Sequence, residues 1–250
     1  METTYLLITI PPSHYCEKVR WALDYAGIPY REERHPPIFH LRVTKFSGRG
    51  RSTPVLVAGD KVLTDSTDIL QFLDSRHVDG WRPYPLDSRL RVEAEELEDL
   101  YDTRLGPHTR RLAYYHLLQH KRLFLDSVLA GVGRNERAVF AALRPAITWF
   151  MRRGMNITAE SANRSLEYVR TVFASVDEKL ADGRSFLVGE RFSAADLTFA
   201  SLAAPVLLPR NYGSPLPTLE DVPADLLGTV DEFRASPAGA FALRVYRDHR

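Results

Sequence analysis

The chain has 250 residues, a length that fits one large domain or two modest ones. Its 33 basic and 32 acidic residues nearly cancel, so the net charge of +1 argues against binding to nucleic acid or to an anionic membrane. The single cysteine, Cys16, excludes an intrachain disulfide. The apolar run 5–10 is too short for a signal sequence or a membrane-spanning helix, so we expect a cytoplasmic protein.

The first 77 residues alternate short β-rich segments with helical ones. The pattern predicts a strand at 5–10, a helix over 15–26 and a second strand at 28–33. A short helix over 40–46, a hairpin formed by 54–57 and 61–63, and a helix over 65–73 follow. The order β-α-β-(α)-β-β-α implies a right-handed βαβ unit within a mixed sheet.

After a predicted linker at 78–87, residues 88–250 have helical period almost throughout. Three apolar faces recur at helical spacing: Leu90, Ala94, Leu97, Tyr101 and Leu105; Leu112, Tyr115, Leu118 and Leu123; and Leu166, Val169, Phe173, Val176 and Leu180. The segment 131–158 contains three glycines and Pro145, which predict a kinked or broken helix. We therefore expect a second, all-helical domain.

Three short motifs in the first part are candidates for chemistry. The sequence S-H-Y-C at 13–16 opens a helix, whose N-terminus stabilises anions such as a thiolate, and the hydroxyl of Ser13 can add one aimed hydrogen bond. The alternative is that Ser13 is simply an N-cap. Thr53-Pro54 opens a strand. Asp65-Ser66 begins a helix, either as a cap or as a site for a substrate carboxylate.

Taken together and in this order, the segments YLLITIPPSHYCEKVRWAL, STPVLVAGDKVLTDSTDILQFLD and FLVGERFSAADLTFASL resemble the glutathione transferase superfamily. The resemblance is to serine-type (zeta-, tau- or theta-like) members, or to an atypical bacterial-like member with an enlarged helical domain. It implies an α/β plus all-α fold class: a thioredoxin-like N-terminal domain at 1–77 that binds glutathione, and an α-helical C-terminal domain at 88–250.

The resemblance also implies roles for matched positions. Thr53 before a cis Pro54 would pair with the cysteinyl part of glutathione, and Asp65 and Ser66 would hold its γ-glutamyl end. Arg51 or Lys45 would meet the glycyl carboxylate. Ser13 stands where serine-type members carry the catalytic serine, and where omega-like members and glutaredoxins carry a reactive cysteine.

The predicted function is therefore activation of glutathione as a thiolate for attack on a small, hydrophobic electrophile, as in detoxification. His14 could assist proton release, although we expect a solvent-facing imidazole. Two alternatives stay open. One is glutathione-dependent thiol exchange or reduction with Cys16 as the working thiol. The other is a non-catalytic binding or scaffold protein on the same fold.

We expect the electrophile pocket between the domains, with five candidate residues: Tyr101, Arg104, Leu105, His108 and Tyr115. Core packing is the competing explanation for each. His116 and His120 have an i, i+4 spacing that can bind metal, but no carboxylate or thiol stands at ligand spacing, so no metal site is predicted. The resemblance further implies a homodimer in which the helix at 66–74 faces the partner.

Two features of the second part concern folding. Ser193 and Asp196 have the form of a capping box, to which we assign no chemistry. The sequence separation between Ser66 and Ser193 is longer than in compact family members. We place the additional residues at 120–158, between the fourth and fifth helices and beside the pocket mouth. This atypical insertion could lengthen the pocket wall, cover the pocket or alter the dimer.

Overall fold

The computed structural model describes residues 5–46, 50–76 and 81–250, and for residues 45 and 46 the backbone alone. Within the first part, the elements in chain order are β1 (Tyr5–Thr9), α1 (His14–Tyr25), β2 (Tyr30–Arg34), α2 (His40–Phe46), β3 (Val55–Ala58), β4 (Lys61–Leu63) and α3 (Ser66–Ser75). This is the predicted order, and the boundaries differ from the predicted ones by no more than about two residues, as is usual for helix and strand ends.

The four strands form one mixed sheet in the order β2-β1-β3-β4. β1 pairs parallel to β2, with Tyr5 opposite Tyr30, and antiparallel to β3, with Leu7 opposite Leu56. β3 and β4 form the antiparallel hairpin that was predicted. Leu7 and Leu56 are fully buried in the main core, which also includes residues of α1 and α3. The thioredoxin-like fold of this part is confirmed.

The second part is helical, as predicted. Its helices are α4 (Ser88–Arg104), α5 (Gly106–Leu117), α6 (Lys121–Val128), α7 (Arg134–Gly154), α8 (Ala159–Leu180), α9 (Ala194–Leu207), α10 (Ala224–Ala235) and α11 (Pro237–His249). Residues 81–87 lead into α4, and the start of the predicted linker lies outside the described residues. Trp81 of this stretch donates from Nε1 to the carbonyl oxygen of Phe192 at 2.8 Å.

Helix α9 forms the centre of the molecule. Its sequence AADLTFASLAAPVL is small or apolar at most positions, and every residue except Pro205 is buried. A helix that is apolar all round is stable only when other elements surround it, and α9 packs against α4, α5 and α11 of its own part and against α1 of the first. One core therefore extends through both domains and fixes how they dock.

The loop after α9 and the residue Arg250 also contact α1, through the buried carboxylate of Glu17. Glu17 accepts hydrogen bonds from the backbone N–H of Gly213 at 3.0 Å and from Nε of Arg250 at 2.7 Å. Arg34 reaches the same loop and donates to the carbonyl oxygen of Gly213 at 3.0 Å. Tyr212 donates its hydroxyl to the carbonyl oxygen of Pro12 at 3.0 Å. The loop after α9 is thereby held next to the N-terminus of α1.

Three details of the helical part differ from the sequence-based expectation. A kinked or broken helix is expected over 131–158, and of these two alternatives the broken helix is wrong, because α7 is one helix that contains Pro145. Pro145 and Ala141 are both exposed, so water can satisfy the carbonyl group that the missing N–H leaves free. Conversely, the face Leu112–Leu123 does not belong to one helix, because α5 ends at Leu117 and α6 begins at Lys121.

The third difference is the place of the segment 120–158. It does not lie between the fourth and fifth helices, since α4 and α5 are separated by Leu105 alone. It follows α5 instead and forms α6 and α7. Together with residues of α5, these two helices enclose a small core of their own that includes Phe124, Phe140 and Met151. In the described part of the chain, no helix is both long and apolar enough to cross a membrane.

Candidate functional site

Ser13 lies between the end of β1 and the start of α1. It is the N-cap of α1, with extended backbone angles, and its Oγ accepts a long hydrogen bond of 3.4 Å from the N–H of Cys16. The side chain also lines a cavity between the two domains. Ser13 therefore caps the helix and, at the same time, offers a hydroxyl to the cavity from the positive end of the helix dipole.

The Thr53-Pro54 peptide bond is cis, as the family resemblance implied. Thr53 lines the same cavity as Ser13, and Pro54 is buried. Arg51, an exposed residue, lines the cavity two positions earlier. The side chain of Lys45 lies outside the described residues. The structure thus brings Ser13, Arg51 and Thr53 to one surface.

Asp65 and Ser66 begin α3 a short distance from this surface. Asp65 is the exposed N-cap, and its carboxylate accepts from the N–H of Thr67 at 2.8 Å, while Ser66 is buried. Neither lines the cavity. Tyr15, however, does line the cavity. Its pKa is raised mainly by burial, and the carboxylate of Asp65 raises it further. The start of α3 therefore lies beside the cavity rather than in its wall.

Cys16 is fully buried and does not line the cavity. Burial raises the pKa of its thiol, against the opposing influence of Arg20 and of hydrogen bonds from Ser13 and Thr53. A reactive cysteine needs both access and a depressed pKa. The placement of Cys16 therefore gives no support to thiol exchange at this residue.

His14 is also buried, so the expected solvent-facing imidazole is wrong. Its Nε2 lies 3.0 Å from the carbonyl oxygen of Gly106, at the junction of α4 and α5. Burial, with a smaller contribution from the charge of Arg110, lowers the pKa of His14 to about 3. The ring is neutral near pH 7 and donates its Nε2–H to Gly106, so His14 ties the two domains together and is poorly suited to carrying protons.

The cavity has a volume of about 680 Å³ and takes its walls from both domains. The first domain supplies the segments around Ser13, Ile38 and Thr53, and the second supplies one face of α5, the end of α7 and the loop after α9. Most of the lining is apolar. The charged side chains among the described lining residues are Arg51 and Arg110, with no carboxylate between them. The cavity therefore suits an apolar molecule, and its charges favour an anion.

The five residues predicted for the electrophile pocket lie outside this lining. Tyr101 and Leu105 are fully buried in the core, and Arg104 is exposed. His108 stacks on Tyr168 of α8 with ring centroids 4.3 Å apart, and Tyr115 packs against both cores. Core packing, the competing explanation, describes Tyr101, Leu105 and Tyr115. The cavity takes the adjacent face of α5 instead, with Arg110, Ala113, Tyr114 and Leu117.

Two family models, one for the N-terminal and one for the C-terminal domain of the same superfamily, match the chain. Residues 7–81 match the family described as glutathione S-transferase, N-terminal domain, and residues 137–224 match glutathione S-transferase, C-terminal domain. The two matched segments together span more than half of the 250 residues. The chain belongs to the glutathione transferase superfamily.

Several solved structures share the fold over nearly the whole chain. The beta-etherase LigF from Sphingobium sp. strain SYK-6 is 18% identical, with a TM-score of 0.63 and coverage of 97% of this chain and 99% of that one. The glutathione transferase GSTFuA3 from Phanerochaete chrysosporium is 18% identical, with a TM-score of 0.63 and coverage of 100% and 98%. A glutathione S-transferase from Methylobacterium radiotolerans, solved with glutathione sulfonate, is 20% identical, with a TM-score of 0.58 and coverage of 96% and 95%. None of the curated protein sequences matches significantly.

Two residues of the cavity in this member of the superfamily have no counterpart in the sequence-based prediction. Arg110 and Tyr114 are one turn apart on α5, and together with Ala113 and Leu117 they follow the i, i+3, i+4, i+7 spacing of a single helix face. The spacing is present in the sequence, but it does not single out this face, because an arginine at its start is typical of a solvated face, whereas Leu112 and Tyr115 lie on a more apolar one.

The insertion 120–158 contributes to the same cavity. Ser127 of α6 lines it, as do Phe150, Met151 and Gly154 of α7 and Met155 just after α7. The segment 120–158 thus forms part of the pocket wall. Elsewhere, His116 pairs through Nδ1 with Asp225 at 2.7 Å. In the described ranges, no group of three or more His, Cys, Asp or Glu side chains could hold a metal ion.

The junction of α4 and α5 leads to a first prediction. Tyr15 donates its hydroxyl to the carbonyl oxygen of Asp102 at 2.7 Å, and a Cβ added at Gly106 would overlap with that hydroxyl. Gly106→Ala is therefore expected to displace Tyr15, break this hydrogen bond and lower the free energy of unfolding by about 2 kcal/mol in urea denaturation.

Gly228 provides the matched control for this change. It lies in α10, and an added Cβ there would have no neighbour within 4 Å. Gly228→Ala is expected to leave stability unchanged or to raise it by about 0.5–1 kcal/mol, because alanine is the better helix former. Equal stability of the two variants would contradict the tight contact at Gly106.

Proposed function

We propose that the protein is a glutathione transferase that activates glutathione as a thiolate for attack on a small, hydrophobic electrophile. The observation that carries this proposal is the hydroxyl of Ser13, placed at the N-terminus of α1 and facing a cavity that is otherwise largely apolar. Thr53 stands on the same surface, before a cis proline. Residues of the first domain would hold glutathione, and the cavity wall from the second domain would hold the electrophile.

The residues of this surface, together with those at the start of α3 beside it, fit the tripeptide in their chemistry. We assign the cysteinyl backbone to Thr53 beside Pro54, the γ-glutamyl end to Asp65 and Ser66, and the glycyl carboxylate to Arg51. Asp65 and Arg51 are exposed, so both charges are available to a ligand. The cavity adds the apolar space that a second, uncharged substrate needs.

Ser13 acts in this mechanism as a hydrogen-bond donor. A serine hydroxyl is too weak a base to remove a thiol proton near pH 7, so the proton leaves to water. The hydroxyl and the end of α1 then stabilise the thiolate. Lowering the thiol pKa by two units requires about 2.7 kcal/mol, which one aimed donor and a helix N-terminus together can supply. Oγ can keep accepting from Cys16 while its proton turns toward the sulfur, because the hydroxyl rotates freely.

The reaction that follows joins two molecules. The thiolate sulfur forms a bond to the electrophilic carbon, and the bond from that carbon to its leaving group breaks, with the electron pair going to the leaving group. The rigid docking of the two domains through α9 holds the two substrates next to each other. The burial of Cys16 weighs against the alternative of thiol exchange by this residue.

We further propose a homodimer in which α3 faces the partner, and a cytoplasmic role in detoxification. Both rest on the family alone. Sedimentation of the protein as a single 28.4 kDa chain would contradict the dimer.

Ser13→Ala tests the proposed chemistry. We expect turnover of 1-chloro-2,4-dinitrobenzene to fall about 100-fold, because one aimed donor to a developing anion is lost. Glutathione affinity by calorimetry should change little, since the peptide contacts remain. The ultraviolet absorbance of the bound thiolate at neutral pH should disappear.

The control for this experiment separates catalysis from helix capping. Ser236 is the N-cap of α11 and accepts from the N–H of Gly239 at 3.0 Å, but it does not line the cavity. Ser236→Ala should cost about 1 kcal/mol of stability and leave turnover intact. Full turnover in Ser13→Ala would overturn the role of Ser13, and absence of glutathione binding in the unaltered protein would favour the non-catalytic alternative.

A further inference from the structure

One face of α5 brings two polar side chains into a largely apolar wall. Arg110 and Tyr114 are one turn apart and both line the cavity, on the side that the helical domain contributes. Ala113 and Leu117 flank them on the same face. The proposed glutathione contacts come from the first domain, so this pair faces the place left for the second substrate.

Arg110 has no partner for its charge among the described residues. No ion pair or hydrogen bond joins it to a carboxylate there, and the cavity lining contains no Asp or Glu side chain. Its charge nevertheless acts in the cavity: it adds to the burial that lowers the pKa of His14, and it opposes the burial that raises the pKa of Tyr15 and Tyr114. An arginine that lines an apolar cavity without a carboxylate is suited to an anionic ligand.

Tyr114 supplies a second donor next to Arg110. Burial is the main cause that raises its pKa to about 12, so the phenol keeps its proton near pH 7. No protein group in the described part of the chain accepts a hydrogen bond from this hydroxyl. The phenol lies close enough to Tyr212 to affect its pKa, which places it near the N-terminal end of α1.

We propose that Arg110 and Tyr114 form an anion-binding subsite that selects electrophiles with an apolar body and one carboxylate group. This proposal rests on the proposed function, because it names the class of the second substrate. A guanidinium and a phenol at this spacing can give two or three hydrogen bonds to the two oxygens of a carboxylate. A dianion such as a phosphate would bring a second charge into an apolar cavity without a partner.

The test is a comparison of two probes that differ in charge, 4-phenylbutanoate and 4-phenylbutan-1-ol. Calorimetry in the presence of saturating glutathione should give a Kd at least tenfold lower for the carboxylate. Arg110→Met should weaken carboxylate binding about 10- to 100-fold and leave the alcohol unaffected, since a hydrogen bond to a charged group is lost. Tyr114→Phe should weaken it about fivefold to tenfold, and Arg110→Glu should reverse the preference.

Arg153 provides the matched control. It is an exposed arginine near the end of α7, beside residues that line the cavity, but it does not line the cavity itself. Arg153→Met should keep the full preference for the carboxylate. An equal loss of carboxylate affinity in Arg153→Met and Arg110→Met would mean that the net charge of the protein causes the preference, and it would overturn the subsite.

Two further results distinguish this proposal from the proposed function. If Arg110→Met raises the Kd of glutathione itself by tenfold or more, Arg110 serves the tripeptide and the subsite is overturned. If the unaltered protein shows the charge preference but transfers glutathione to no electrophile, the subsite stands and the transferase function fails. Equal affinity of the unaltered protein for the two probes would overturn the subsite whatever the activity.

Discussion

Replacing Lys18 with methionine is expected to lower the free energy of unfolding by about 3–5 kcal/mol. Lys18 is fully buried in α1, and its Nζ lies 2.7 Å from Oε1 of Glu98 and 2.7 Å from Oδ2 of Asp102, both on α4. Methionine has a similar length and fills the space, but it leaves the buried carboxylate of Glu98 and the partly buried carboxylate of Asp102 without a cation. Because α1 and α4 belong to different domains, the loss falls on their interface.

Neighbouring hydroxyl groups make this site a network. Oγ1 of Thr67 lies 2.9 Å from Glu98 and 3.0 Å from Asp102, and Tyr84 donates its hydroxyl to Glu98. Burial alone would lower the pKa of Lys18, but Asp102 and Glu98 outweigh burial and raise it. The stabilisation by the charged lysine is therefore fully present at pH 7 and is lost only as the pH rises through the raised pKa.

Urea denaturation at pH 7 measures the effect, with two comparisons. Lys121→Met makes the same change at an exposed position and should alter stability by less than about 0.5 kcal/mol. The triple variant Lys18→Met, Glu98→Gln, Asp102→Asn removes all three charges and should recover most of the loss, because no uncompensated charge remains buried. A single variant as stable as the unaltered protein would show that this network contributes nothing to docking.

The second large effect is expected at Asp196, the buried carboxylate at the start of α9. It accepts hydrogen bonds from the N–H of Leu187 at 2.7 Å and from the N–H and hydroxyl of Ser193 at 2.8 and 2.9 Å. Asp196→Ala leaves these donors buried and unpaired at the start of the central helix. We expect a loss of about 3 kcal/mol in the free energy of unfolding.

The size of this loss should depend on pH. Burial raises the pKa of Asp196 to about 6, against the hydrogen bonds that favour its charged form. Since the folded-state pKa lies above that of an unfolded aspartate, the group stabilises the fold most when protonated, and this contribution declines as the pH rises from about 4 through 6. The difference in stability between the unaltered protein and Asp196→Ala should therefore be larger at pH 5 than at pH 7.5.

Asp68 offers a close control for Asp196. It occupies the same third position of a helix, α3, but is exposed. Asp68→Ala should cost no more than about 1 kcal/mol, the usual value for a charge near a helix N-terminus. A loss as large as that of Asp196→Ala would mean that helix-dipole interactions, and not buried hydrogen bonds, explain both.

The sequence allowed the first domain to be predicted well because each of its signals is local. The strand 5–10, the glycine after α1 and the turn at Gly59 all act within a few residues, and Ser13 could be placed at a helix start for the same reason. The site residues of the second domain depend on which helix face meets the first domain. Periodicity identifies an apolar face, but α5 presents two usable faces, and the choice between them is made by packing against α8 and α9.

Buried charges were the hardest feature to predict. Glu17, Lys18 and Arg20 are consecutive or nearly so on α1 and are typical of a solvated surface, yet all three are buried. Their partners lie in other elements, such as Glu98, Asp102 and Arg250. The burial of His14 under Gly106 has the same origin. No local pattern in one domain shows where the other will cover it.

Because the two domains supply different walls of the cavity, substitutions in one wall can leave the other wall unchanged. Under the proposed function, every contact assigned to glutathione lies within the first 66 residues, whereas α5, α7 and the loop after α9 supply the opposite wall. The helices α6 and α7 add Phe150, Met151 and Met155 to that wall, and methionine adapts its shape more readily than branched residues do. Substitutions in these helices can therefore change which second substrate is accepted while the thiol-activating half of the protein stays the same.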